Sequence, residues 1–311
     1  MNEISIITPV YNEQDNIIPF VNKIEEVMKK INQSYELIFI LDPGTDDTEN
    51  IILEQIKNNN KIKLIINSRR FGQPASMFAG LESSNGKYIV FIDVDLQDPP
   101  ELIEEMYVNI KQNNNDVVLA QRTSKLNENI LRKNIAKFGY YIISKLSETN
   151  IPKNIGEFRM ISRRVGNKLI EMQDYDFFLR GIVSFVGFKQ KTIQFERPQR
   201  KIGHTKYNPY TGSLKIGLNG IFSYSVKPLH IITITSTISF ILSTFVFSLY
   251  IILTFLNLFV FKYQFFIITL ILVVSSAIFF SIGIISEYLA RLIPKIKQRP
   301  IYIIDKKINF K

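Results

Sequence analysis

The chain has 311 residues, 46% of them hydrophobic, which is enough for one substantial domain with apolar sequence left over. It contains no cysteine, and this excludes a disulfide framework and a thiolate metal site. The formal net charge of +10 favours acidic partners, a class that includes nucleic acid, anionic lipid and phosphorylated substrates.

Residues 3–120 alternate between strand patterns and helix patterns. Apolar runs rich in β-branched residues predict strands at 3–10, 36–41, 61–66, 87–92 and 116–120. Apolar residues at helical spacing predict a helix after each of the first four strands. This alternation implies right-handed βαβ crossovers and an α/β fold, with a mostly parallel sheet flanked by helices.

Charged side chains follow three of these strands. Asp42 comes after the second strand, Asp93 and Asp95 end the fourth, and Arg122 follows the fifth. Because the carboxyl ends of parallel strands meet at one edge of a sheet, we expect these residues to line a ligand crevice. Two carboxylates at this spacing suit a hard divalent cation. The alternative is a polar strand-to-helix turn that is capped by Asp98.

A cationic loop lies further along the chain. Residues 128–148 and 163–172 carry helical patterns, and residues 188–195 are strand-like. The polar loop at 196–210 contains several cations, Arg200 and Lys206 among them. Solvated surface charge is the commoner explanation of such a run, but this one lies just before an apolar region. No GxGxxG or GxxxxGK[ST] motif follows any strand, so bound phosphates must be held by a metal and side chains.

Two long apolar segments lie near the C-terminal end. No Asp, Glu, Lys or Arg occurs in 229–261, and after Lys262 the run 263–286 is again free of them. Each segment is long enough to cross a hydrocarbon core of ~30 Å as a helix. We therefore expect a hairpin of two transmembrane helices, at about 230–257 and 264–287. Two buried core helices of a soluble protein are the alternative.

The flanks of this hairpin are basic. Residues 211–228 carry an apolar stripe at helical spacing, which fits a helix on the bilayer surface and equally a core-facing helix. Residues 289–311 form a basic tail, whereas the connector of the hairpin holds only Lys262. Positive charge on both flanks predicts that both termini lie in the cytosol, and no signal-peptide pattern precedes the first strand.

Six short motifs follow one another along the chain. They are TPVYNE (8–13), DVDLQDPPE (93–101), GEFRM (156–160), FLRGIVSFVGF (178–188), GHTKY (203–207) and ISEYLARL (285–292). In order and spacing they resemble the GT-A-fold, family 2 inverting glycosyltransferases of the polyprenyl-phosphate type. That group includes dolichyl-phosphate mannose synthases and bacterial undecaprenyl-phosphate glucosyltransferases. The resemblance covers nearly the whole chain and implies a cytosolic, Rossmann-like GT-A domain at 1–210, followed by the juxtamembrane segment 211–228, the hairpin at 229–288 and the tail.

The resemblance also implies roles for individual residues. Asp93 and Asp95 would hold Mg²⁺ or Mn²⁺ against the donor's diphosphate, where the cation offsets the charge of the departing nucleoside diphosphate. Glu157 stands where the family has its catalytic base. The resemblance therefore implies that Glu157 and Asp95 are the catalytic residues. The nucleotide pocket would be lined by Pro9, Tyr11, Glu13, Asp42, Arg69 and Asp93. The acceptor phosphate would be faced by Arg122, Arg200 and Lys206.

Two positions depart from the family pattern. Pro43 stands where relatives usually have the second Asp of Asp-Asp-Gly-Ser, so a carboxylate and a backbone donor are missing near the nucleotide base. Glu157 replaces the usual Asp, and the alternative for it is a structural carboxylate paired with Arg159 or Arg163. A phosphate monoester, with a second pKa near ~6, is mostly dianionic at neutral pH and needs little base. We therefore expect Glu157 to be an orienting group or weak base.

The expected activity is the transfer of one hexose from a nucleotide sugar, with UDP-glucose favoured, to undecaprenyl phosphate with inversion. The resemblance implies a homo-oligomer at the cytosolic face of the cell membrane, with the nucleotide sugar, polyprenyl phosphate and the bilayer as partners and no nucleic acid. Two alternatives stay open. One is a glycosyltransferase that acts on a lipid hydroxyl such as diacylglycerol, for which Glu157 would be an essential base. The other is a non-catalytic, membrane-anchored scaffold.

Overall fold

A mixed sheet of eight strands organises the computed structural model, which describes residues 2–123, 155–172, 183, 186–196, 198, 263–296 and 300–310, with single positions between 234 and 256. The strands are β1 (Ile4–Val10), β2 (Tyr35–Leu41), β3 (Ile62–Asn67), β4 (Tyr88–Phe91), β5 (Val117–Arg122), β6 (Ile155–Ser162), β7 (Gln190–Phe195) and β8 (Ile304–Ile308). The helices in these ranges are α1 (Gln14–Ile31), α2 (Thr48–Asn58), α3 (Gln73–Ser83), α4 (Leu102–Gln112), α5 (Arg163–Met172) and α6 (Tyr263–Ile296).

The strand order across the sheet is β7-β5-β6-β4-β1-β2-β3-β8. The pairs β1–β2, β1–β4, β2–β3 and β5–β7 are parallel. Only β6 and β8 run against the others in the described sheet, since β6 is antiparallel to β4 and β5, and β8 is antiparallel to β3. The predicted α/β fold with mostly parallel strands is therefore confirmed, and the two reversed strands make the sheet mixed.

Helices cover both faces of the sheet. Alternate strand residues point to opposite faces, and β1 shows this directly, because Ile6 packs with α1 and α4 whereas Ile7 packs with α3 and α5. Strands buried on both faces need nearly continuous apolar sequence. All seven residues of β2 are buried, which explains why its pattern is not alternating.

The structure describes only part of the chain for which membrane segments are predicted. No helix within the described ranges meets the length and apolar character required to cross a membrane. α6 covers the second predicted span, whereas the first span is described only at single positions and the segment 211–228 lies outside the described residues. The helix predicted at 128–148 also lies outside them. The hairpin stays a prediction.

Candidate active site

Strand direction brings the predicted site residues to one edge of the sheet. β2, β4 and β5 run the same way, so Asp42, Asp93, Asp95 and Arg122 lie at the same edge. β6 runs in the opposite direction, and its register pairs Phe91 with Arg159. The start of β6 therefore reaches this edge, which places Glu157 beside the carboxylates that follow β4.

Negative charge accumulates where β4 ends. Burial is the main cause that raises the pKa of Asp93 to about 7, and the charges of Asp98, Asp95 and Glu157 contribute to this increase against the opposing effect of Arg122. Gln73 Nε2 donates a hydrogen bond to Asp93 Oδ1 at 2.7 Å. A carboxylate that is costly to ionise among other carboxylates gains from a bound cation.

The donor set fits a divalent cation that the substrate helps to bind. Within the described ranges, no three or more His, Asp or Glu side chains are arranged to hold a metal by themselves. Mg²⁺ commonly takes one or two protein carboxylates and completes its shell with substrate phosphates and water. Asp93 and Asp95 can supply that share, and a nucleotide diphosphate would supply the rest.

The turn that carries the two carboxylates is held in place locally. Val94, between them, is buried in the core. Gln97 N donates to Asp95 Oδ1 at 3.1 Å, and Leu96 takes a left-handed φ of 55°. A bulky residue in that region of φ is strained, and such strain persists only where the surrounding contacts hold it.

Asp98 does not cap the helix that follows. α4 begins at Leu102, and Asp98 instead accepts hydrogen bonds from Arg122 Nη2 at 3.1 and 3.3 Å. The carboxylate is 1% exposed. The alternative of a capping turn is therefore wrong for Asp98, because its buried charge is satisfied by a residue of β5.

Arg159 fixes the position of Glu157. Its side chain is fully buried, and its guanidinium donates to the carbonyl oxygens of Gly156 at 2.6 Å and Glu157 at 3.2 Å. Arg159 Nη2, the nitrogen that donates to Gly156 O, also lies 3.6 Å from Glu157 Oε2. Arg163 instead donates to Gly86 O and Ser84 Oγ. Arg159 and Arg163 are the two alternative structural partners predicted for Glu157, and the structure places Arg159 beside its carboxylate.

Asp42 has protein partners for both carboxylate oxygens. Its Oδ1 accepts from Asn67 Nδ2 at 2.8 Å and Ser76 Oγ at 3.3 Å, and its Oδ2 accepts from Gly72 N at 2.8 Å. The residue is 3% exposed. Asp42 therefore ties β2 to the end of β3 and the start of α3, a role that the sequence pattern does not reveal.

The remaining predicted nucleotide residues lie in the loops after β1 and β3, or at the end of β1 in the case of Pro9. Glu13 Oε2 accepts from Asn16 Nδ2 at 2.6 Å. The guanidinium of Arg70 stacks on the ring of Tyr11, 3.9 Å from its centroid, and that of Arg69 stacks on Phe71 at 4.0 Å. Arg70 is a second exposed cation that sequence reasoning missed, although the pair Arg69-Arg70 is visible in the sequence.

The β1–α1 and β2–α2 loops are joined by side-chain hydrogen bonds. Asn12 Oδ1 accepts from Thr45 N at 2.9 Å, and Gln14 N donates to Asp46 Oδ2 at 3.1 Å. This joins the segment next to Pro43 to the loop that carries Tyr11. The other two residues predicted at the acceptor, Arg200 and Lys206, lie outside the described residues.

Comparison with known proteins gives three findings. Residues 5–170 match the profile described as Glycosyl transferase family 2. An uncharacterized glycosyltransferase of Synechocystis is 34% identical over 304 residues, which cover 97% of this chain and 95% of that protein. The bactoprenol glucosyl transferase of Shigella phage SfII is 31% identical over 314 residues, which cover 98% of this chain and 98% of that protein. Among solved structures, glucosyl-3-phosphoglycerate synthase from Mycobacterium tuberculosis in complex with Mn²⁺, UDP-glucose and phosphoglyceric acid is 15% identical, with a TM-score of 0.47 over 71% of this chain and 78% of that one.

Proposed function

The chain belongs to glycosyl transferase family 2 and is a hexosyltransferase that uses a nucleotide sugar, and from this premise we propose that its acceptor is a polyprenyl phosphate. The proposed donor is UDP-glucose, and transfer inverts the anomeric carbon. A relative that spans the same length is named a bactoprenol glucosyl transferase, which supports both the lipid acceptor and the sugar.

One structural observation carries the proposal. The carboxylates after β4 and the guanidinium of Arg122 at the end of β5 lie at the same sheet edge, with Glu157 near the start of β6, the strand between them. Joining a diphosphate donor to a phosphate acceptor brings two anions together, so the site must supply positive charge on both sides. Arg122 can supply it to the acceptor, and a cation held by Asp93 and Asp95 can supply it to the donor.

The chemistry follows from these charges. When bound, Mg²⁺ or Mn²⁺ would neutralise charge on the departing nucleoside diphosphate. A phosphate oxygen of the acceptor attacks the anomeric carbon, and the bond from that carbon to the diphosphate breaks with its electron pair on the diphosphate. No proton has to leave a dianionic phosphate. Glu157, held by Arg159, therefore orients neighbouring groups or acts as a weak base.

We also propose where the enzyme works. The hairpin predicted at 229–288 would place the catalytic domain at the cytosolic face of the cell membrane, with the basic segments on its cytosolic flanks. A polyprenyl phosphate is confined to that membrane, so a membrane-bound enzyme meets its acceptor in two dimensions. The homo-oligomer stays a prediction.

The direct test is transfer by the purified full-length protein. It would be incubated with undecaprenyl phosphate or diacylglycerol and with UDP-glucose, UDP-galactose, UDP-N-acetylglucosamine or GDP-mannose, in Mg²⁺, Mn²⁺ or EDTA. We expect a lipid-linked glucose from UDP-glucose and undecaprenyl phosphate only, and none with Asp95→Asn, because an amide cannot replace an anionic oxygen on a hard cation. Equal activity in EDTA would refute the metal site, and transfer to diacylglycerol alone would refute the acceptor.

A further inference from the structure

Asp98 and Arg122 form an ion pair next to Asp93 and Asp95, the expected metal ligands, but neither residue of the pair is an expected ligand itself. Asp98 is 1% exposed, whereas the side chain of Arg122 is 26% exposed. Only Nη2 of Arg122 contacts the carboxylate, at 3.1 and 3.3 Å from its two oxygens. The pair thus joins the turn after β4 to the end of β5, with one member buried and the other partly open to solvent.

The guanidinium of Arg122 keeps unused donors. In the part of the chain that the structure describes, neither its Nη1 nor its Nε makes a hydrogen bond, and Nε is buried. A guanidinium carries five N–H donors in a fixed fork, and a purely structural arginine at a buried carboxylate commonly uses two nitrogens in parallel. Arg122 is held through one nitrogen, and because Nε is buried, Nη1 is the nitrogen that is left for an acceptor that the described residues do not provide.

A second contact limits where the guanidinium can lie. A Cβ atom at Gly156 would come within 2.7 Å of Nη2 and 3.1 Å of Cζ of Arg122. The guanidinium therefore rests against the backbone of Gly156, the residue just before Glu157. Asp98 holds it on one side and Gly156 provides its space on the other.

We propose that Asp98 and Gly156 are positioning residues that orient Arg122 toward the acceptor's phosphate. This inference rests on the proposed function, and it adds two residues that bind no substrate themselves. In the sheet order, β6 and β5 lie on one side of β4, whereas β2 and β3, with Asp42 and Arg69, lie on the other. Loss of the positioning should therefore weaken acceptor binding and leave donor binding unchanged.

The test is steady-state kinetics of the full-length protein, with KM measured separately for undecaprenyl phosphate and for the nucleotide sugar. Asp98→Asn removes the charge that holds the guanidinium, and Gly156→Ala displaces it without touching Asp98. Each should raise the acceptor KM about 10-fold or more, with the donor KM within about 2-fold. Asp98→Glu, which restores the charge, should recover part of the loss.

A double-variant cycle separates positioning from general structural damage. If Asp98 acts through Arg122, then Asp98→Asn should change the acceptor KM by less than about 2-fold in an Arg122→Ala background. Asp116→Asn is the matched control, since Asp116 lies just before β5 at its opposite end and pairs with Arg164 at 2.6 Å. It should leave both KM values within about 2-fold of wild type.

Two results would overturn the inference. One is an equal loss from Asp98→Asn with and without Arg122, and the other is a loss that falls on the donor KM. The ratios of variant to wild-type KM are measured with whichever lipid acceptor the wild-type enzyme uses. Transfer to diacylglycerol and not to undecaprenyl phosphate would thus refute the proposed function, while the same cycle would still decide whether Asp98 acts through Arg122.

Discussion

Asp93 is a carboxyl group whose pKa lies near neutrality. Burial and the surrounding negative charges raise that pKa from 3.8 to about 7. The folded protein therefore holds a proton that the unfolded chain releases, so this group's contribution to stability is complete below about pH 3.8 and is lost as the pH rises through about 7. Above neutrality and without a cation, the ionised side chain destabilises the fold.

The corresponding variant is Asp93→Asn, which has no charge at any pH. At pH 8 and without divalent cations, the variant should unfold at a temperature a few degrees above wild type. At pH 5.5 the difference should be about half as large, because the carboxyl of the unfolded chain is still ionised there while that of the folded protein is protonated. Thermal unfolding at both pH values measures this, with Asp305→Asn, on an exposed residue of β8, as the control. A variant less stable than wild type at pH 8 would contradict the electrostatic account, and the same variant should transfer no sugar.

Glu157 and Arg200 distinguish a phosphate acceptor from a hydroxyl acceptor. A phosphate needs positive charge more than a base, so Arg200→Ala should cost more than Glu157→Gln. Loss of the charge-assisted contact of Arg200 should cost about 2 to 4 kcal/mol, which is roughly 30- to 1000-fold in kcat/KM. The loss in Glu157→Gln should be smaller and should shrink above the second pKa of the phosphate. The measurement is kcat/KM of both variants from pH 6 to 9 at saturating metal.

The opposite order would indicate a hydroxyl nucleophile. A hydroxyl stays protonated at physiological pH without a base, so Glu157→Gln would then be the less active variant across the whole range. The contact with Arg159 makes this comparison informative, because glutamine keeps the shape of the side chain and a hydrogen-bonding oxygen. A result of this kind would leave the family assignment intact and change the chemistry.

At the scale of elements, β8 ties residues of the predicted tail to the catalytic sheet. It pairs with β3, and Tyr302 and Phe310 on either side of it pack against the core that α3 covers. Ser68 N donates to Ile303 O at 2.9 Å. Because Ser68 precedes Arg69 and the loop that contacts Asp42, β8 supports the predicted nucleotide side of the site.

Deletion of residues 300–311 should therefore affect both stability and donor binding. The deletion removes several partly buried apolar side chains, each of which contributes ~1 kcal/mol or more to the free energy of unfolding. The melting temperature of the catalytic domain should therefore fall by roughly 10 °C. The donor KM should rise while the protein remains folded. Lys306→Ala, at an exposed position of β8, is the control and should change the melting temperature by less than about 2 °C. An unchanged melting temperature after the deletion would show that β8 adds nothing to the fold.

The sequence predicts elements well where the pattern is local. The helices predicted after each of the first four strands are α1 to α4, and the helix predicted at 163–172 matches α5. Each of the first five strands is found within one or two residues of its predicted bounds. β8 is not predicted, because Asp305, Lys306 and Lys307 are exposed edge residues that break the apolar pattern. Its pairing with β3 is a long-range property that no local window contains.

β6 and the contacts within the site illustrate the same limit. The motif GEFRM is visible in the sequence, but its strand runs through the fully buried Arg159, a residue type that rarely indicates a core position. The edge location of Asp93, Asp95 and Arg122 follows from strand direction and is predictable. The partners of Asp42 and Asp98 depend on which loops meet in space, so they required the structure.

At the scale of the whole molecule, charge and apolar sequence are separated along the chain. The net charge is +10, yet residues 263–286 contain no charged side chain. If the predicted hairpin anchors the protein, attachment is hydrophobic and salt has little effect on it, whereas an electrostatic attachment is screened within ~3 Å at 1 M salt. The full-length protein should therefore remain in the membrane fraction after a wash with 1 M NaCl.

Detergent extraction provides the control for that experiment, since it should release the protein at low salt. Release by the salt wash alone would contradict the predicted anchor and favour attachment through the basic segments. Protease added to the outside of intact cells should cut near Lys262 or nowhere, because the predicted topology exposes only the connector.

The position of β8 also has a consequence for the order in which the protein is made. Asn309 Nδ2 donates to Ile62 O across 247 residues of chain, so this bond cannot form until Asn309 itself has been synthesised. Domains generally begin to fold during synthesis, at ~5–20 residues per second. The edge of β3 would therefore stay open for ~12 to 50 seconds while the intervening chain, including the predicted hairpin, is made. During that interval the nascent sheet offers an unpaired strand to chaperones or to other nascent chains, and β8 closes this edge when it emerges from the ribosome.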